Sequence, residues 1–519
     1  MAGIGKNIIE HLTSAMYENS YTVYREYIQN SADSIDKAIE SGLLTKQSAY
    51  IDIDINVNKR RVSIYDNACG ISKEKFYKVL SDIADSEKDR TKDKGFRGIG
   101  RLAGIAYCKK LIFRSSFAGE DVISTMSWDG ELLRAILADT TQHPSASDLV
   151  DMLITTKEEK GKLEEHFFEV IMEDIIPESD NLIDEHSVIE YLQAVAPIPY
   201  SNTFVFRSRI YEFAKENGFL IDEYKIEING NPIYKPYKTT IYEGTEGAKV
   251  PFDEITDIQF ELLKNSKKEI LGWMWYGISR FEKQLPIINS MRGMRIRKEN
   301  IQIGNEETLG YPKFYKEPRG NNYFFGEIFA VHTNLIPNAR RDYFNTNATL
   351  SEFEKALYPI LHNQFYSLYH FANKVKNSAK KLVDHAKKQE TFDKKVENSE
   401  FISKQDQEKA QRELDASKES AKKAQHELEL RQKEAEKSDV FTRVFNAINT
   451  VYKPEGTSNQ DVNKNIDSKK KKEAYLSQSL SRYSKKEQKL IGNIYDIIKK
   501  ILPQETAELV IKKIQEELK

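Results

Sequence analysis

The stretch from Tyr24 to Ala38, YREYIQNSADSIDKA, narrows what this chain can be more than any other. Tyr24, Ile28, Ser31, Ile35 and Ala38 are apolar or neutral and recur with the one-sided spacing of a helix. Glu26, Asn30 and Asp33 stand at i, i+4 and i+7 and therefore share a second face. A carboxylate placed there can orient and deprotonate a water. A carboxamide oxygen one turn away can ligate a hard cation such as Mg²⁺. Any solvated surface helix could show the same polar face. The residues downstream give it chemistry.

A short helix is expected over Ile8 to Met16. After a turn at Ser41-Gly42, Ala49 to Asn56 (AYIDIDIN) alternates strictly, as a half-buried strand does. Asn58-Lys59-Arg60 forms the tip of a hairpin. The return strand, Arg61 to Tyr65, runs into Asp66-Asn67-Ala68-Cys69-Gly70-Ile71. An Asp at a strand end, followed by small residues, leaves space for a flat ligand, and it can accept from an exocyclic amine such as that of adenine. An Asx turn would read the same way. Ser72 to Lys94 begins with helical character and becomes too polar to pack over Asp85 to Lys94, as a flap would. It ends in GFRGIGRLAG, Gly95 to Gly104, where glycines let backbone N–H groups approach phosphates before a helix over Arg101 to Tyr107. Gly98, Gly100 and Ala103 fit the dinucleotide spacing. A charge run precedes them instead of a strand, which excludes that fingerprint.

In this order and spacing the motifs resemble the GHKL ATPases, the superfamily of gyrase, HtpG-type chaperones, histidine kinases and MutL. The resemblance covers residues 1–130 and implies a Bergerat-type ATP-binding α/β sandwich, with a mixed sheet covered by helices on one face. Carried over, Glu26 resembles the general base and Asn30 the Mg²⁺ ligand. Asp33 would support the ribose and phosphate side. Asp66 would accept from the adenine amine, and Gly70 would let the base lie close. Gly95, Gly98, Ile99 and Gly100 would cradle the phosphates of ATP beneath a lid in which Ser86 and Lys88 reach phosphate oxygens. The chain departs from the family pattern at Ala68, where glycine is usual, and a methyl there would tighten the adenine pocket. Cys69 reads as a small buried hydrophobe.

Lys110 to Ser116, Val122 to Trp128 and His166 to Ile171 are expected as further strands, with a polar helical insertion over Asp139 to Glu165. The ATP-binding domain is placed at residues 1–185. A second, α+β domain is placed at 186–360, with a helix over Ser187 to Val195 and strands over Phe204 to Phe206, Tyr224 to Ile228 and Ile270 to Ser279. The basic, alternating Met291 to Ile303 reads as a solvated face, with nucleic acid as the other reading. Dimerising GHKL proteins carry a transducer domain here, whose basic residue reaches the γ-phosphate. The segment Asn334 to Asp342, NLIPNARRD, resembles that loop and nominates Arg341, with Arg340 as the alternative.

Ser351 to His370 is aromatic-rich and amphipathic. Asn373 to Lys437 is rich in Lys, Glu, Gln and Ala and fits a long extended helix or a helical hairpin without a strict heptad seam. The third region divides into a charged helical or coiled-coil part, 361–440, a flexible linker, 441–483, and amphipathic helices, 484–519. In the last, Ile491, Ile494, Ile497, Ile498 and Ile501 are placed on one face.

Bulk properties agree with a multidomain protein. The 519 residues exceed one domain, and the net charge of -2 argues against a global nucleic-acid coat. Two cysteines suit a reducing cytoplasm, and no apolar run suits a membrane span. The resemblance implies an ATP- and Mg²⁺-dependent conformational machine. It would act as a homodimer with a protein client or partner subunit, and a bacterial defence role is one setting. A MORC-like ATP-gated DNA clamp and a non-catalytic nucleotide-bound scaffold are the alternatives.

Overall fold

The computed structural model describes residues 19–82, 100–398, 400–452 and 482–518. The expected helix over Ile8 to Met16, the flap, and most of the linker lie outside them. The chain forms two compact units. One comprises residues 1–278 with 283–366, and the other residues 279–282 with 367–519.

The first unit opens with α1 (Thr22–Glu40), followed by the hairpin β1 (Ile51–Asn56) and β2 (Arg61–Asp66), then α2 (Lys73–Ser81). A 3₁₀ helix, Gly100–Ala106, stands where an α-helix was expected. Next come β3 (Cys108–Ser116), β4 (Val122–Asp129), α3 (Gly130–Ala138), α4 (Ala146–Leu153), β5 (Ile154–Lys160) and β6 (Phe167–Ile175). After α5 (Glu185–Val195) and α6 (Arg207–Glu216), the short strands β7 (Ile226–Ile228) and β8 (Asn231–Pro232) return to the same sheet. The strand order is β5-β4-β3-β6-β2-β1-β7-β8, mixed because β7 runs parallel to β1. Burial explains the alternation in β1: Ile51, Ile53 and Ile55 face the core while Asp54 faces solvent. From α1, Val23, Tyr24, Tyr27, Ile28, Ala32, Ile35 and Ala38 join the same core. Each large side chain buried there contributes about 1.5–3 kcal/mol.

A six-stranded sheet comes next, in the order β13-β12-β14-β11-β10-β9. Its strands are β9 (Thr240–Thr245), β10 (Ala248–Lys264), β11 (Ile270–Ser279), β12 (Gly293–Lys298), β13 (Ile301–Ile303) and β14 (Phe325–Ala330). α7 (Ala348–Tyr358), N-capped by Asn347, passes through a π-helical turn at Pro359–Gln364.

Three expectations change here. Phe204 to Phe206 is a turn rather than a strand. Phe204 is held by ring packing against Tyr200, Tyr237 and Trp275, so its burial needs no ladder. Asp139 to Glu165 is not one helical insertion. Ser145 caps α4, and the polar run after it is the edge strand β5, whose exposed charges suit a sheet edge. The basic Met291 to Ile303 is not solvated. Every residue of β12 and β13 is buried, because β12 lies between β13 and β14 and its charges are met inside the fold.

The second unit is helical. α8 (Phe365–Glu397) runs into it, and the charged region breaks before α9 (Lys404–Ala435), which Ser403 caps. α10 (Asp439–Val451) is helical where linker composition was expected from residue 441, and it buries Val440, Val444 and Ile448. α11 (Lys485–Ile501) starts with a Ser484–Glu487 capping box and is followed by α12 (Gln504–Glu517). The isoleucines expected on one face divide. Ile491 and Ile498 pack around Tyr495, Ile402 and Ile511, whereas Ile494, Ile497 and Ile501 are exposed.

Candidate active site

α1 supplies one wall. Its buried apolar stripe fixes the rotation of the helix, so Glu26, Asn30 and Asp33 project together from another face. The Glu26 side chain is only 14% exposed and meets Arg25 Nη2 at 3.4 Å. The same nitrogen of Arg25 donates to the Arg340 carbonyl at 3.2 Å. Asp33 is buried and Asn30 half-buried.

The 3₁₀ helix closes over this wall. A Cβ built on Gly100 would stand 2.4 Å from Glu26 Oε2, so any larger residue there would push the carboxylate from its place. Tyr27 ties the two elements together. Its hydroxyl donates to the Arg101 carbonyl at 3.1 Å and accepts from the Gly104 N–H at 2.9 Å.

Asp66 ends β2 at 1% exposure. Burial pushes its carboxyl up to about 7, although hydrogen bonds from Ser31 of α1 and from the Ala68 N–H pull the other way. The turn after it is shaped by the fold itself. Gly70 has φ 70°, and a Cβ there would lie 2.0 Å from the Ser116 carbonyl. The Ala68 methyl belongs to the buried core, and its carbonyl is bonded by His166 Nδ1 at 2.9 Å. Cys69 is half-buried, with its thiol pushed up mainly by burial.

The residues around 340 reach the same site from the far side of the sequence. Arg341 is buried and Arg340 exposed. Burial lowers the Arg341 pKa. Glu26 is the foremost charge opposing that effect, Arg25 adds to it, and the Glu299 and Asp33 carboxylates counter it. Arg341 has φ 55°, a left-handed conformation unusual for a bulky residue. Its N–H donates to the Asn338 carbonyl at 3.2 Å, and its own carbonyl accepts from the Gly304 N–H at 2.7 Å.

Glu26, Asp33 and Arg341 are thus brought together, with Gly100 against Glu26 and Asp66 tied to α1 through Ser31. Ser86, Lys88, Gly95, Gly98 and Ile99 lie outside the described residues. Sequence reasoning passed over Arg25, Tyr27 and Gln29. Gln29 is 1% exposed, and neither of its amide atoms has a hydrogen-bond partner among the described residues. Its i+3 spacing from Glu26 was the available signal.

Residues 17–159 match a family model described as histidine kinase-, DNA gyrase B-, and HSP90-like ATPase. This region is a GHKL-type ATPase domain. Similar relatives are chaperone proteins HtpG. That of Buchnera aphidicola subsp. Acyrthosiphon pisum is 29% identical over 142 residues, covering 24% of this chain and 23% of that protein. That of Francisella tularensis subsp. novicida is 25% identical over 171 residues, covering 29% and 27%. The chain therefore spans about a quarter of the length of these curated relatives. The GHKL assignment carries ATP binding with it. Among the described residues, no helix is long and apolar enough to cross a membrane.

Proposed function

We propose that the chain hydrolyses ATP and uses the cycle to change its conformation in the manner of an HtpG-type chaperone, as a homodimer acting on a protein client or partner subunit. The observation that carries this reading is the burial of Arg341 within the field of Glu26, next to Arg340, whose carbonyl accepts from Arg25 at 3.2 Å. A guanidinium there would spread positive charge over the transferred phosphoryl oxygens. Glu26, held by Arg25 and backed by Gly100, would orient and deprotonate the attacking water. Asp66, bonded to Ser31 midway along α1, would accept the adenine amine.

The Asn30 side chain suits Mg²⁺ as one hard oxygen donor among waters and substrate phosphate oxygens. The cation would be held jointly with the nucleotide. Bound Mg²⁺ would neutralise phosphate charge. A cytoplasmic setting and a place in a bacterial defence system belong to the same proposal. A DNA clamp gains no support from the basic strand, since Arg295, Arg297 and Lys298 are buried.

Glu26→Ala is expected to retain ATP binding and to lose Mg²⁺-dependent phosphate release by about 10²-fold or more. Unchanged turnover in that variant overturns the assignment. Stimulation by duplex DNA that disappears at raised salt would replace the client by DNA.

A further inference from the structure

The second sheet of the first unit and the segment after β8 share a group of charges with no direct place in the site. Lys235, Arg297 and Glu327 have fully buried side chains. Lys235 Nζ lies 2.8 Å and 3.1 Å from the two Glu327 oxygens and 2.7 Å from Asn300 Oδ1. Arg297 Nε donates to Glu327, as does the Tyr200 hydroxyl, which in turn accepts from Trp275 Nε1 at 3.0 Å. The Lys235 ammonium also sits 4.4 Å from the centre of the Tyr200 ring. Glu327 is held ionised: burial alone would raise its carboxyl, but Arg297 and Lys235 lower it well below the usual carboxylate range.

Such a cluster is a poor stability device. Apolar residues of similar volume commonly serve as well or better, so its distinctive property is fixed geometry. What it fixes is the two-residue turn Glu299–Asn300 between β12 and β13. Both residues have positive φ, 53° and 59°, as a tight hairpin turn of this hand requires. The Asn300 backbone carbonyl accepts from Arg297 Nη1 at 3.1 Å, and its side-chain Nδ2 donates to the Asp222 carbonyl. Arg297 Nη2 donates to the Ala194 carbonyl at 2.8 Å, near the end of α5. The hairpin is therefore fastened to α5, to the segment entering β7 and to the segment leaving β8, all next to the first sheet. Beyond β13 the chain reaches Gly304, whose N–H holds the Arg341 carbonyl. Glu299, in the turn, is one of the carboxylates acting on the Arg341 guanidinium.

We infer that the buried Lys235–Glu327–Arg297 cluster, acting through the Glu299–Asn300 turn, is the positioning device that sets Arg341 in the active site. The inference rests on the proposed hydrolytic role of Arg341. Asn300 is the hinge-pin of the device, because it touches the cluster, the Asp222 carbonyl and the turn at once.

The test is Asn300→Gly. Glycine keeps the positive-φ turn and removes both side-chain bonds. ATP affinity and the circular dichroism spectrum should stay at wild-type values. The turnover number should fall about tenfold or more, as expected when a transition-state group is displaced by a fraction of an ångström to one ångström. In an Arg341→Ala background the same change should cost almost nothing further. Asn300→Asp, which keeps the Lys235 contact but cannot donate to Asp222, is the second variant should the first fail to fold, and a smaller loss of the same kind is expected. The inference is overturned if turnover is unchanged in the folded variants, if the loss appears in affinity instead, or if it multiplies with that of Arg341→Ala. Wild-type protein that does not release phosphate would refute the hydrolytic reading itself. Normal Asn300→Gly turnover beside a dead Glu26→Ala would refute only the positioning role.

Discussion

The Asp66 carboxyl is the most quantitative handle on the site. Burial moves it from 3.8 to about 7. At roughly 1.36 kcal/mol per pH unit this difference amounts to about 4 kcal/mol. Because the folded value is raised, the contribution to stability is full below the unfolded value near 4 and is lost as pH rises through about 7. Binding should show the opposite trend. An exocyclic amine donates more strongly to a carboxylate than to a neutral carboxyl, so the ionised form is the tighter binder. The ionised fraction is about 0.1 at pH 6, about 0.5 at pH 7 and about 0.9 at pH 8. Affinity for adenosine, which carries no titrating phosphate, should therefore rise from pH 6 to pH 8, by at most about tenfold, with at most about half a proton released at pH 7. Calorimetric titration in buffers of different ionisation enthalpy measures both quantities. Asp66→Asn should flatten the dependence of stability on pH. An affinity that is constant across this range, or that falls, would refute the assignment of Asp66 as the amine acceptor.

Two further substitutions probe the frame of the site. Gly70→Ala puts a methyl 2.0 Å from the Ser116 carbonyl at φ 70° and should cost at least about 2 kcal/mol, read as a lower melting temperature. Tyr27→Phe removes the hydroxyl that joins the Arg101 carbonyl to the buried Gly104 N–H. Denaturant titration should show a loss of about 1–3 kcal/mol, and an unchanged midpoint would deny the tie between α1 and the 3₁₀ helix.

The sequence made the first sheet legible where one periodicity dominated. The alternation in AYIDIDIN placed β1, and the one-sided stripe of α1 set the face bearing Glu26. The polar run in β5 was misread because an edge strand has no apolar face to alternate. Phe204 misled for the opposite reason: aromatic packing buries a turn as effectively as a ladder buries a strand. Arg295 and Arg297 looked solvated because their buried partners, Gln302 and Glu327, are supplied by neighbouring strands. At the site, Glu26, Asp66 and Gly100 stood out by chemistry and spacing. Arg25 and Gln29 did not, because what marks them is burial rather than residue type.

The parallel pairing of β7 with β1 carries a consequence for how the chain is made. About 170 residues separate the end of β1 from the strand that covers its second edge. At 5–20 residues per second, synthesis leaves that edge of Ile51–Ile53 bare for about 10–35 seconds. An uncovered strand rich in isoleucine is a ready template for pairing with another chain. A shortened chain that ends before Ile226 would keep this edge bare permanently and is expected to aggregate at concentrations where the full chain stays dispersed. The smallest self-sufficient version of the ATP-binding sheet therefore extends past residue 232.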